Sequence, residues 1–162
     1  MKIKIIPLAA LSLLALVSFS ALSAEPPSSD EIAVKKAADQ FYHALNTLFE
    51  GEVGEMKDVW SHADDVTYMG PVGGFRVGWK QVSVDWEAQA ANKLGGHVEA
   101  TEMQLTVGRD LALVHNYEKG ENKGPNGESQ TVLIRATNVF RKENGAWKMI
   151  GHHTDLLPFL AK

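Results

Sequence analysis

An α+β domain, with helices packed on one face of a strongly bent antiparallel sheet, is the fold class this sequence predicts. Three observations predict it. Helical periodicity is confined to the first half of the chain, the second half alternates at period two, and short turn signals divide that second half into successive hairpins. Helices followed by a meander bury their apolar faces against one another in two layers.

Before the domain, Met1 to Ala24 has the form of a secretory signal peptide. Lys2 and Lys4 give the positive start, Ile5 to Leu22 the apolar core, and Ser20, Ala21, Ser23 and Ala24 the small residues of a cleavage site. The stretch is also long enough for a membrane anchor, and its small-residue end favours cleavage after Ser23 or Ala24. The expected organisation is signal peptide 1–24, linker 25–29 (EPPSS) and one domain over 30–162. Removing the segment takes away two lysines and no carboxylate, leaving 138 residues at net charge −6. A periplasmic or secreted location follows, with no membrane contact after cleavage.

Ser28 and Glu31 form a capping box ahead of Val34, Ala37, Ala38, Phe41, Ala44, Leu45 and Leu48, a helix running to about Glu50. Val53 to Trp60 reads as a shorter helix, Val66 to Met69 as a strand, and Gly78 as the start of a second long helix with Val82, Trp86 and Ala90 buried. Four strands follow: His97–Val107, Leu111–Lys119, Gln130–Arg141 and Trp147–Asp155.

Both faces of these strands are largely apolar in the middle, where a solvated sheet would show one polar face. One face takes the helices, so the other requires a cover, and a homodimer through the outer sheet face is expected. Leu111, Leu113, His115 and Tyr117 share one face of their strand; Leu133, Arg135, Thr137 and Val139 share one of theirs. Simple alternation puts His153 and Asp155 with Trp147 and Met149. The expectation is that these sets face the helices, placing His115, Arg135 and His153 inside. Arg135 then reads either as half of a buried ion pair or as the cationic floor of a pocket for a small anion.

The run VTYMGPVGGFRVGWKQVSVDWEAQ (Val66–Gln89), the run IRATNVFRKENGAWKMI (Ile134–Ile150) and His153 six residues after Trp147 together resemble the NTF2-like superfamily, specifically the SnoaL-like and ketosteroid-isomerase-like small proteins. The likeness spans Asp30 to Pro158. It implies a cone of helices against a bent sheet, a pocket inside, and a dimer through the outer sheet face. Asp155 stands where many relatives carry a Ser. The superfamily includes isomerases, cyclases, dehydratases and non-catalytic domains, so function has to come from the site.

The absence of Cys excludes thiol nucleophiles and Cys-based zinc sites, and the acidic balance argues against nucleic acid. His62-Ala63-Asp64-Asp65 and His152-His153-Thr154-Asp155 lack metal-ligand spacing, and no glycine run has nucleotide-binding form, so neither metal nor cofactor is expected. Ketosteroid isomerisation needs an Asp base with a Tyr and a protonated Asp, a set these strands do not offer. Two functions remain, beside a purely structural dimer whose cavity is filled by side chains. One is binding of a small apolar or aromatic, acidic ligand by Trp60, Tyr68, Trp86, His115, Arg135 and His153. The other is a cofactor-independent isomerase, dehydratase or cyclase with His153 as general base, Asp155 orienting it, and Arg135 or Tyr68 stabilising negative charge.

Overall fold

The computed structural model describes residues 25–156 apart from Val72 and Pro125. The expected signal peptide lies outside the described residues. Helix α1 (Ser29–Phe49) begins at the capping box: the Ser28 hydroxyl accepts from the Glu31 N–H at 3.2 Å, and the Glu31 carboxylate accepts from the Ser28 N–H at 2.6 Å. Its stripe from Val34 to Phe49 is buried, and Gly51 follows in a positive-φ turn. The short helix α2 (Gly54–Val59) leads to β1 (Thr67–Met69) and β2 (Arg76–Val77), then to α3 (Trp79–Ala91), which buries Val82, Trp86 and Ala90 at four-residue spacing. The meander is β3 (His97–Val107), β4 (Leu111–Lys123), β5 (Ser129–Glu143) and β6 (Ala146–Leu156).

The six strands form one sheet in the order β2-β1-β6-β5-β4-β3. Every pairing is antiparallel except β1 with β6, which is parallel and aligns Tyr68 with His152. The sheet is therefore mixed rather than purely antiparallel. A parallel pair needs a long crossover, and no local turn signal encodes it. The glycine-rich turn also holds the two-residue strand β2, which alternation over so short a run does not reveal.

All three helices pack on the concave face, over Val98, Ala112, Val114, Phe140 and Met149. Asn46 of α1 closes the free edge: its side-chain amide donates to the Val98 carbonyl and accepts from the Val98 N–H, both at 2.8 Å.

Two β-bulges set which side chains face the helices. One lies between Thr101 and Gln104 of β3, where Glu102 takes φ 56°. The other falls where Val139 pairs with Gly151 but Phe140 pairs with Met149, leaving Ile150 as the extra residue on β6. Trp147 and Met149 point at the helices before the bulge, and His152 and Thr154 after it. His153 and Asp155 are thereby turned outward.

Gly96 precedes β3 with φ 81°, and a Cβ there would sit 2.0 Å from the Glu121 carbonyl oxygen. Gly127 has the same φ of 81° with nothing within 4 Å. Gly96→Ala is expected to cost about 2–4 kcal/mol in urea denaturation. Gly127→Ala pays only left-handed strain, about 1–2 kcal/mol. Equal losses would mean that the close approach at Gly96 contributes nothing.

Candidate functional site

The helix-facing side of β4, β5 and β6 is polar at its centre. Asn116 and Glu118 of β4, Asn138 of β5 and His152 and Thr154 of β6 are buried there. Strand alternation places them in neighbouring rows, Asn116 and Glu118 being two apart and Asn138 opposite His152. From the helix layer Tyr42 of α1 reaches into the same cluster.

The hydrogen bonds assign the protons. The Asn138 amide nitrogen donates to the Tyr42 hydroxyl at 3.2 Å and to the Asn116 side-chain oxygen at 3.0 Å. The Asn138 side-chain oxygen therefore accepts, and its partner at 2.6 Å is His152 Nδ1, which must carry a hydrogen. Nε2 is then the basic nitrogen of His152, and it faces Glu118 Oε1 at 3.7 Å. Tyr42 accepts from Asn116 at 2.7 Å as well as from Asn138, so its own O–H is free to donate to Glu118 Oε1 at 3.2 Å.

Burial governs the charges. It pushes the Glu118 carboxyl up to about 7, against the Tyr42 hydrogen bond, which acts the other way. It pushes the His152 imidazole down to about 3, with the neighbouring His153 adding to the same effect. Tyr42 is driven far above the ordinary phenol range by burial first and by Glu118 second. Between about pH 3 and pH 7 the pair is thus a carboxylic acid beside a neutral imidazole, the arrangement expected where charged forms are removed from water.

Glu118 and His152 lie on the wall of a cavity of about 260 Å³. Leu45, Phe49, Trp86, Leu94, Val98 and Ile134 give it apolar walls, and Tyr68, Gln89, Asn92 and Asn122 add neutral polar groups. Trp86 packs its ring 4.5 Å from that of Tyr68, which in turn lies parallel to the His152 imidazole at 5.8 Å.

Of the residues singled out from sequence, Tyr68 and Trp86 line this cavity. Trp60 does not; it is buried behind them, with its ring 6.1 Å from Trp86 and 6.5 Å from Tyr68. His115, Arg135, His153 and Asp155 are exposed on the opposite, outer face of the sheet, along a shallow groove shared with Gln104, Tyr117 and Thr137. Their inward placement is corrected on two physical grounds. The bulge at Ile150 breaks the alternation that tied His153 to Met149. The face bearing Leu111 and Leu113 is the outer one, because the inner face exchanges apolar residues for the polar cluster.

With Arg135 outside, the cavity wall contains no lysine or arginine among the described residues. The expected anionic ligand held by Arg135 loses its anchor. Glu118, Asn116 and Asn138 were missed, and the signal that could have found them was Asn116, Glu118 and Asn138 at inward spacing among Ala112, Val114, Ala136 and Phe140. Among the described residues no group of three His, Asp or Glu is arranged to hold a metal ion, and no helix is long and apolar enough to cross a membrane.

Residues 34–156 match the family model described as a SnoaL-like domain. Among solved structures the chain is similar to a candidate dehydratase of the NTF2-like family from Streptomyces avermitilis, at 25% identity and TM-score 0.73, covering 82% of this chain and 99% of that one. It is similar in fold to a candidate aromatic ring hydroxylase from Novosphingobium aromaticivorans (22% identity, TM-score 0.69, covering 85% and 100%). A candidate ketosteroid isomerase from Shewanella frigidimarina shares the fold at 20% identity and TM-score 0.63, covering 76% and 94%. A search of curated proteins found no match. A cone of three helices on a bent mixed sheet, with a cavity between the layers and a family match over most of its length, places this chain in the SnoaL-like domain family of the NTF2-like superfamily.

Proposed function

We propose that this chain is an exported, cofactor-independent protein whose internal cavity holds a compact, neutral, largely apolar molecule and moves a proton on it, as isomerases and dehydratases do. One observation carries the reading: a carboxyl and an imidazole, both buried and 3.7 Å apart, line one cavity. The volume lies just below the roughly 300–1,000 Å³ of common ligand sites, which favours a one- or two-ring molecule. Likeness to a candidate dehydratase and a candidate isomerase agrees with proton-transfer chemistry.

In this reading His152 Nε2 takes a proton from the ligand while Asn138 holds the opposite ring nitrogen and fixes the tautomer. Glu118 supplies a proton elsewhere on the ligand, and the Tyr42 O–H steadies the carboxylate that remains. Loss of the acid form of Glu118 makes kcat/KM fall above about pH 7.

The same proposal includes the homodimer. The outer sheet face leaves Leu111 53% and Leu113 38% exposed beside half-buried Leu133 and Val139. A self-complementary apolar face suits a two-fold interface, and likeness to candidate kinase association domains is consistent with it.

Ile134→Trp fills the cavity and is expected to abolish the thermal shift given by neutral one- and two-ring aromatic and terpenoid compounds. An undiminished shift would place the ligand elsewhere. For any compound that binds, hydrogen–deuterium exchange at its acidic C–H followed by NMR should slow about 10²-fold or more in His152→Gln and in Glu118→Gln.

Stability gives an independent check on Glu118. Its folded pKa near 7 lies above its unfolded value of 4.5, so the folded state retains a proton that the unfolded chain releases between those limits. Wild type therefore loses stability from this group as pH rises from 4.5 to about 7. Glu118→Gln, which cannot ionise, should gain on wild type across that window by a few kcal/mol and keep the gain above it. A difference in urea midpoint that is the same at pH 4, 6 and 8 would mean an ordinary carboxyl.

Native mass spectrometry of the chain expressed with its full N-terminus reads export and assembly together. The expected species is a dimer of protomers beginning at Ala24 or Glu25, and Leu113→Arg should convert it to monomer.

A further inference from the structure

The outer face of the sheet is ordered in rows. Gln104, His115, Thr137 and His153 stand side by side across β3 to β6, and Tyr117, Arg135 and Asp155 form the next row. Apolar residues border both. Leu113 pairs with Val139 on the far side of the histidine row, and Leu133 lies beyond the arginine row beside Lys119. The polar groove is therefore continuous with the apolar face assigned above to a second copy. A two-fold contact made by those leucines covers the histidines as well.

The permanent charges of this face balance within one chain. Lys119 and Arg135 offset Glu102 and Asp155. Both carboxylates are engaged: Glu102 holds Lys119 at 3.0 Å, and Asp155 lies 3.6 Å from His153 rather than on Arg135, its register partner. The Lys119 ammonium also stands 5.2 Å from the centre of the Tyr117 ring. His115 and Arg135 have no carboxylate partner among the described residues. Glu118 and His152 belong to the opposite face of the sheet and do not enter this balance.

Histidine is the side chain that gains a charge between about pH 8 and pH 5. Protonating His115 and His153 adds two positive charges to each chain, and four across a two-fold contact that already holds two copies of Arg135. In the single chain these groups stand in water. His115 and Arg135 are exposed, and the His153 side chain keeps 47% of its accessible surface. A second copy removes that water, and a charged group resists the transfer unless a partner of opposite sign waits for it. With both carboxylates taken, desolvation and like-charge repulsion act in the same direction. Each imidazole then holds its proton more tightly in the single chain than in the dimer, so a fall in pH favours the single chain.

We infer that the outer groove is the acid-sensitive centre of the two-fold contact, and that protonating His115 and His153 drives the dimer apart. This inference rests on the homodimer proposed above. In an exported protein, association then follows the pH of the surroundings.

Sedimentation equilibrium of the purified protein at pH 7.5, 6.5 and 5.5 tests it, since this range lies above the ordinary titration of Asp and Glu. The Kd of the dimer is expected to rise about tenfold or more from pH 7.5 to 5.5, and to change less than about twofold in the double variant His115→Gln, His153→Gln. Glu118 titrates in the same window in both proteins, so the double variant separates its effect from that of the histidines. The wild-type series reads the switch without a mutation, and an unchanged far-UV circular dichroism spectrum assigns the change to association. A wild-type Kd that is the same at all three pH values, or one that rises as steeply in the double variant, would overturn the histidine switch and leave the dimer in place. A single chain at pH 7.5 at every concentration would remove the dimer and the switch together.

Discussion

Everything at the centre of this molecule turns on the Asn138 side chain. Asn116, Glu118, Asn138 and His152 are buried on the helix-facing side of the sheet, where each unpaired polar group would cost about 1–3 kcal/mol. Asn138 connects them: it donates to Tyr42 and Asn116 and accepts from His152. Because its oxygen is committed to His152 Nδ1, the basic nitrogen of the imidazole can only be Nε2. Because Tyr42 accepts two amide hydrogens, its own hydrogen goes to Glu118. Helix α1 is thereby fastened to β4 and β5 through one hydroxyl, and the same set of bonds fixes which ring nitrogen of His152 carries its hydrogen.

The bulge at Ile150 has a comparable reach. It brings His152 rather than His153 into the cluster, and it leaves His153 and Asp155 on the outer face with Arg135 and His115. One extra residue in one strand therefore puts His152 in the interior and holds His153 and Asp155 in water on the exterior. The two faces of the sheet divide the chemistry: charge stays outside, and inside there is one carboxyl kept protonated by burial below about pH 7.

The cavity also explains why the polarity of the strands misleads when taken by itself. Leu111, Leu113 and Val139 read as core, and the positions alternating with them include two Asn, a Glu and, after the bulge, a His. A ligand-holding interior exchanges apolar side chains for polar ones, so its inner face resembles a surface, while an outer face with leucines resembles a core. The split of residues between faces was legible in β4 and β5; which face met the helices was not. Tyr68 and Trp86 were legible as pocket residues because an aromatic on a buried stripe next to a glycine-rich turn has few other places to go. Trp60 obeys the same local rule but sits one layer deeper.

By itself the sequence determined the parts whose causes are local. The capping box at Ser28 and Glu31 starts α1, the four-residue spacing of Val82, Trp86 and Ala90 makes α3 a buried helix, and the glycine and asparagine turns separate β3 to β6 into a meander. Only the tertiary structure decided the parts whose causes lie far along the chain. The parallel pairing of β1 with β6 joins residues more than 80 positions apart, and Tyr42 meets Glu118 across 76. Backbone propensity and side-chain period act over a few residues, whereas the state of a buried proton depends on every group packed around it. That is why the fold could be read from spacing, and why only the packed layers show His152 and Glu118, rather than His153, in the buried polar cluster.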